Sequence, residues 1–119
     1  MHTVPVLRLN ACQVAQLIGY CTGYRSYLWQ SVMPTPERNQ TIRSIQALQA
    51  KLEKAQEQGQ AEMSLCLTEE EKNTLKLLLN EVIRLYGNAP PSAQRMQQLT
   101  EVAGLRIQLE RAFRQTQTL

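Results

Sequence analysis

The chain has 119 residues, a net charge of +3 and an ordinary apolar share of 43%, enough for one domain with a modest core. No stretch approaches the apolar length of a membrane span, and the segment after Met1 lacks the basic start and long apolar run of a secretory signal, so a cytoplasmic location is expected. The positive excess sits in the first half, where Met1 to Gln58 carries six basic and three acidic side chains against seven of each from Gly59 onward; it is spread out, which argues only weakly for a nucleic-acid partner.

Met1 to Leu9 reads as extended. Pro5 opposes helix, and Val4, Val6, Leu7 and Leu9 supply apolar or β-favouring bulk. Asn10 is placed to cap a helix beginning at Ala11. From Ala11 to about Val32, the positions Val14, Leu17, Cys21, Tyr24 and Leu28 recur at three- and four-residue steps, one stripe of a long helix. Pro34 and Pro36 end it. Thr35 then caps a second helix, with Pro36 at its first position and Glu37 in its first turn. That helix carries Ile42, Ile45, Leu48, Leu52 and Ala55 on one face. Gln56 to Ala61, around Gly59, reads as a polar linker.

The second half opens at Met63 or Ser64 with a short strand, where Leu65 and Leu67 alternate with smaller neighbours. The strand runs straight into a helix. Thr68 and Glu71 have the spacing of a capping box, and Glu69, Glu70 and Glu71 place negative charge at the positive end of the helix dipole. Leu75, Leu78, Leu79, Val82, Leu85 and Tyr86 form its stripe, and Gly87 to Pro91 breaks it. Ser92 caps the last helix, whose stripe is Met96, Leu99, Val102, Leu105, Leu109 and Ala112, with Phe113 beside it.

The two halves overlay. Leu7, Leu9, Asn10 and Leu17 lie 58 places before Leu65, Leu67, Thr68 and Leu75. After one deletion in the loop, Pro34, Arg38, Ile45, Leu48 and Leu52 lie 57 places before Pro91, Arg95, Val102, Leu105 and Leu109. Any two amphipathic hairpins share leucines. The matched prolines and arginines, and the Leu-Glu-basic-Ala runs at 52–55 and 109–112, point instead to a duplicated unit. A lone strand has unpaired backbone on both edges, so the two strands should pair with each other. The expected fold is mainly α: one domain, 1–119, built as a four-helix bundle-like assembly from two tandem strand-helix-helix repeats (4–57 and 63–115), with a short two-stranded antiparallel ribbon about a pseudo-twofold axis.

Chemistry has little to stand on. His2 is the only histidine and sits near the terminus, and the three glutamates serve the helix dipole. Cys12, Cys21 and Cys66 form no CxxC and read as reduced thiols acting as small hydrophobes. No metal-ligand spacing and no phosphate-cradling glycine loop occurs, so neither an enzyme nor a cofactor is expected.

Two features of the first helix invite function. Val14 to Gly19 has an alanine four residues before a glycine, as in the first helix and turn of a helix-turn-helix. Arg25, Tyr27 and Trp29 would then lie on a recognition helix, supported by Arg38 and Arg43. Against this, Arg25 falls where that motif buries an aliphatic side chain, and the matching stretch from Leu75 to Val82 is plainly one continuous helix. The second feature is the aromatic window of Tyr20, Tyr24, Tyr27 and Trp29, with Ala15, Gly19 and Gly23 recurring every four residues. Only Tyr24 lies on the core stripe, so Tyr20, Tyr27 and Trp29 with Gly19 and Gly23 are candidates for a contact with another protein. The plainer reading is that the rings cover the ribbon or the second hairpin. The glycine pair, at roughly 1 kcal/mol each against alanine, signals either a close approach by another segment or a bent helix. The expected function is a small cytosolic interaction or scaffold protein, a homodimer or bound to another protein through the aromatic face of the first helix or the open ribbon edge, with DNA binding through residues 10–30 as the alternative.

Overall fold

The computed structural model describes residues 6–117, in the order β1 (Val6–Asn10), α1 (Ala11–Ser31), α2 (Pro36–Glu57), β2 (Glu62–Cys66), α3 (Glu69–Gly87) and α4 (Ala93–Gln117). The expectations for Met1 to Pro5, including His2, Val4 and Pro5, lie outside the described residues. The described residues are mainly helical, with four helices and a short two-stranded antiparallel sheet.

Each helix begins where a side chain satisfies a free backbone donor. Asn10 Oδ1 accepts from the Gln13 N–H at 2.8 Å while Gln13 Oε1 accepts from the Asn10 N–H at 3.0 Å. Thr68 and Glu71 make the same reciprocal pair at 3.1 and 2.9 Å. Thr35 Oγ1 and Ser92 Oγ accept from the N–H groups of Arg38 and Arg95. A cap of this kind contributes about 1 kcal/mol. Gly59 has φ +68°, the left-handed turn that leads from the end of α2 into β2.

The strands pair antiparallel, with Leu7 opposite Leu65, Arg8 opposite Ser64 and Val6 opposite Cys66. The pairing is symmetric about Leu7–Leu65: advancing β1 by 58 places carries the pair Val6–Cys66 onto Ser64–Arg8. One face of the ribbon, Leu7, Leu9, Met63 and Leu65, is buried, and the other is exposed. The buried face joins Val14, Leu17, Cys21 and Leu28 of α1, Ile45, Leu48 and Leu52 of α2, Leu75, Leu78 and Leu79 of α3, and Val102, Leu105, Leu109 and Phe113 of α4 in one core. Each such leucine gains about 1.5–3 kcal/mol from burial. The helices form two hairpins, α1 with α2 and α3 with α4; α3 also packs on α1 and α2, and α4 on β1.

Side chains of the returning helices tie each strand-to-helix junction. Gln108 of α4 donates through Nε2 to the Arg8 carbonyl and accepts from Gln13 Nε2, both at 2.9 Å. Lys51 of α2 occupies the position 57 places earlier; its Nζ donates to the Cys66 carbonyl and, at 2.8 Å, to Glu71 Oε1. Burial pushes the Glu71 carboxyl up. The hydrogen bonds from Lys51 and Thr68 and the lysine charge outweigh burial and hold it below the usual carboxylate range.

Three expectations are corrected. β2 begins at Glu62, one to two residues early, because Glu62 pairs with Asn10. Met96 is 59% exposed rather than on the inner stripe; Arg95, one position and about 100° away, faces α3 with its guanidinium 5.1 Å from the Tyr86 ring. The Ala15–Gly19–Gly23 spacing brings no other segment of the chain close. A Cβ at Gly19 or Gly23 would meet nothing within 4 Å, and α1 runs unbroken through both.

Gly19→Ala and Gly23→Ala should therefore each raise the unfolding free energy by up to about 1 kcal/mol in urea titrations. Glu71 carries a folded-state pKa below that of the unfolded chain. The stability it adds is present above the normal glutamate range and is lost as pH falls through the lowered folded value. Lys51→Ala should cost about 1 kcal/mol at neutral pH, and the difference from wild type should shrink in acid, where Glu71 is protonated in both and only the bond from Lys51 to the Cys66 carbonyl is still lost.

Candidate functional site

The aromatic window of α1 divides between two surroundings, and helix geometry decides which ring goes where. Tyr24 is on the buried stripe. Tyr27, three residues on, is half-buried and stacks on Tyr24 with ring centroids 5.9 Å apart and planes 18° from parallel. The Arg84 guanidinium of α3, paired with Glu81 at 2.6 Å, lies near Tyr27. Tyr20 is half-buried against the core; burial, with Tyr86 and Glu101 close by, pushes its hydroxyl pKa up. Burial pushes Tyr24 up to about 12. Tyr24 alone of these tyrosines lies on the core stripe; Tyr20 and Tyr27 flank it, half-buried against the core. Replacing either ring disturbs packing, not a free surface.

Trp29 stands apart. It is 69% exposed, and Met33, just past the helix end, is 78% exposed. The indole is held by Arg38 of α2, whose guanidinium lies 4.9 Å from the ring. Arg38 is itself pinned. Its Nη1 donates to the Val32 carbonyl at 3.2 Å, and Nε and Nη2 both donate to Asn39 Oδ1 at 3.1 and 2.9 Å. One arginine thus closes the α1–α2 turn and presents the indole to solvent. Two shallow hollows of about 330 and 320 Å³ adjoin Trp29 and Ile42, one bordered by Arg25 and Gln49, the other by Arg38 and Arg43.

Of the residues expected to touch nucleic acid, Arg25, Trp29, Arg38 and Arg43 gather on this outer face of the α1–α2 hairpin, and Tyr27 does not. Arg25 Nη1 donates to Gln49 Oε1 at 2.8 Å, while its Nε is buried with no partner. Arg43 reaches only Gln40 on its own helix, at 3.3 Å. The helix-turn-helix expectation is corrected: Gly19 sits inside the continuous helix Ala11–Ser31, so no turn separates a first helix from a recognition helix. Of the expected protein-contact residues, Gly19, Gly23 and Trp29 are exposed, whereas Tyr20 and Tyr27 are packed.

The role of Arg38 was within reach of sequence, because Arg38 and Arg95 coincide in the overlay. Arg95 lies over Tyr86 as Arg38 lies over Trp29. What periodicity could not supply was which ring each arginine covers. Lys72 is buried, but it pairs with Glu69 at 2.8 Å and lies 5.3 Å from the Phe113 ring. Among the described residues no three histidine, cysteine or glutamate side chains gather as metal ligands, and no helix is long and apolar enough to cross a membrane. Set against known protein families, characterised proteins and solved structures, the chain matches none.

All three cysteines are free thiols, but their surroundings differ. Cys21 is buried and its thiol is pushed up to about 12 by burial, while Cys12 and Cys66 are exposed. An aromatic disulfide reagent should titrate Cys12 and Cys66 in the native protein, and Cys21 only at the rate of unfolding. Rapid reaction of all three would contradict the packing of α1.

Proposed function

We propose that this protein is a small interaction or scaffold protein without catalytic activity, acting in the cytoplasm as a homodimer or on another protein through the outer face of the α1–α2 hairpin. The observation that carries the reading is Trp29: a large ring held out in solvent by a pinned arginine, with Met33 four residues on also exposed. Tryptophan and arginine are the residues most often central to protein contacts, and a ring already fixed loses little freedom on binding. Gly19 and Gly23 extend the same exposed helix as bare backbone, whereas Tyr20 and Tyr27 support the surface from within.

The architecture that presents this face is, in our reading, two tandem strand-helix-helix units, 4–57 and 63–115, closed into a four-helix bundle-like domain about a pseudo-twofold axis. Support comes from the symmetric register about Leu7–Leu65, the paired capping boxes, the matched ties of Gln108 and Lys51, and the matched arginine–ring pairs. A second reading, nucleic-acid binding, is favoured by one observation only: Arg25, Trp29, Arg38 and Arg43 share a patch. It requires affinity that falls steeply with salt.

Trp29→Ala should leave the helical circular dichroism unchanged and convert a sedimenting dimer to monomer. A wild-type protein that sediments as a monomer at every concentration overturns the homodimer. A mass unchanged by Trp29→Ala removes this face from the dimer contact.

A further inference from the structure

Two grooves flank the ribbon, one outside each strand. The larger, of about 840 Å³, lies between β1 and α4 and is walled by Val6, Leu7, Arg8, Ile107, Arg111 and Ala112. The other, of about 300 Å³, lies between β2 and α2 and uses the matching positions, among them Lys54 for Arg111 and Leu65 for Leu7. Gln58 and Gln60 of the α2–β2 linker also line the second groove and narrow it.

The larger groove combines apolar wall and uncompensated positive charge. Val6 and Ile107 are 42% and 48% exposed, on opposite sides of it. Arg8 and Arg111 form no ion pair among the described residues. Gly104 leaves the backbone of α4 bare at the groove, since nothing lies within 4 Å of where its Cβ would be. Val6 and Arg8 are successive outward positions of β1, so an aliphatic and a basic group alternate along the strand at the side-chain spacing of an extended chain.

We propose that the β1–α4 groove binds an extended acidic peptide of a partner protein, with aliphatic side chains against Val6 and Ile107 and carboxylates against Arg8 and Arg111. Charge and shape select the occupant. Arginine takes a carboxylate through two parallel N–H donors. A second copy would bring the same two arginines face to face and repel. A nucleic-acid backbone would satisfy the arginines but offers nothing aliphatic to the two apolar walls. The site lies on a different surface from Trp29, and the two readings fail separately.

The probe is a fluorescent peptide of about eight residues alternating glutamate and valine, long enough at roughly 3.3 Å per residue to span β1. A peptide of the same length alternating lysine and valine is the control. The anisotropy of the glutamate–valine peptide should rise on titration with the full-length protein, and amide shifts should move at Val6 to Asn10 and along 104–112. Arg8→Glu and Arg111→Glu are surface changes that should each weaken binding about tenfold with unchanged circular dichroism. Arg111→Glu should in turn gain binding to the lysine–valine peptide. Trp29→Ala should leave the affinity unchanged. Absence of binding overturns the proposal. So does equal binding of the lysine–valine peptide by wild type, equal binding of a short thymidine oligonucleotide through the same arginines, or an affinity that depends on Trp29 instead of Arg8 and Arg111.

Discussion

Leu7 lies opposite Leu65 at the centre of a ribbon only five residues long on each strand, and the rest of the fold hangs on that pairing. Either strand alone would leave backbone donors and acceptors unpaired on both edges. Joined, each satisfies one edge of the other, and their leucines and Met63 form an apolar face that only the helices can cover. The pairing also aims the helices. Each strand runs within two residues into a capped helix, at Asn10 and at Thr68, so α1 and α3 take their direction from the ribbon. α2 and α4 then return far enough for Lys51 and Gln108 to reach the strand carbonyls.

Those returning ties reward comparison. Gln108 accepts from Gln13 in one place, whereas Lys51 pairs with Glu71 in the other. The geometry is held in common, and the chemistry is neutral at one junction and ionic at the other. Only the second junction is acid-sensitive. The same economy operates at the far ends of the hairpins, where Arg38 and Arg95 each lie over an aromatic ring. Tyr86 is half-buried beneath its arginine, but Trp29 is not. The first hairpin therefore exposes a ring at the place where the second conceals one.

Much of this was legible in the residues themselves. Three- and four-residue spacing located α1 from Val14 to Leu28. Thr35 before Pro36 marked the start of α2, and Thr68 with Glu71 that of α3, because capping is local chemistry within four residues. The ribbon was inferable from two short apolar alternations with no other strand to pair with. Met96 looked like a stripe residue, yet Arg95 faces α3, because an aromatic ring on the opposing helix suits a guanidinium better than a thioether. Gly19 resembled a turn, yet helix-compatible neighbours on both sides and the buried Leu17 and Cys21 carry the helix through it.

The sequence by itself determined the helix boundaries, the capped junctions and the pairing partner of each strand, since all three depend on neighbours along the chain or on an unpaired edge. Only the tertiary structure decided what the surface offers. Whether Tyr20 and Tyr27 are core or contact depends on which residues of the second hairpin come against them. Whether Trp29 is covered depends on a loop latched by Arg38. Whether Arg8 and Arg111 share a groove depends on α4 returning along β1, about 100 positions later in the chain. Exposure is a relation between segments distant in sequence, and no periodicity within one segment encodes it.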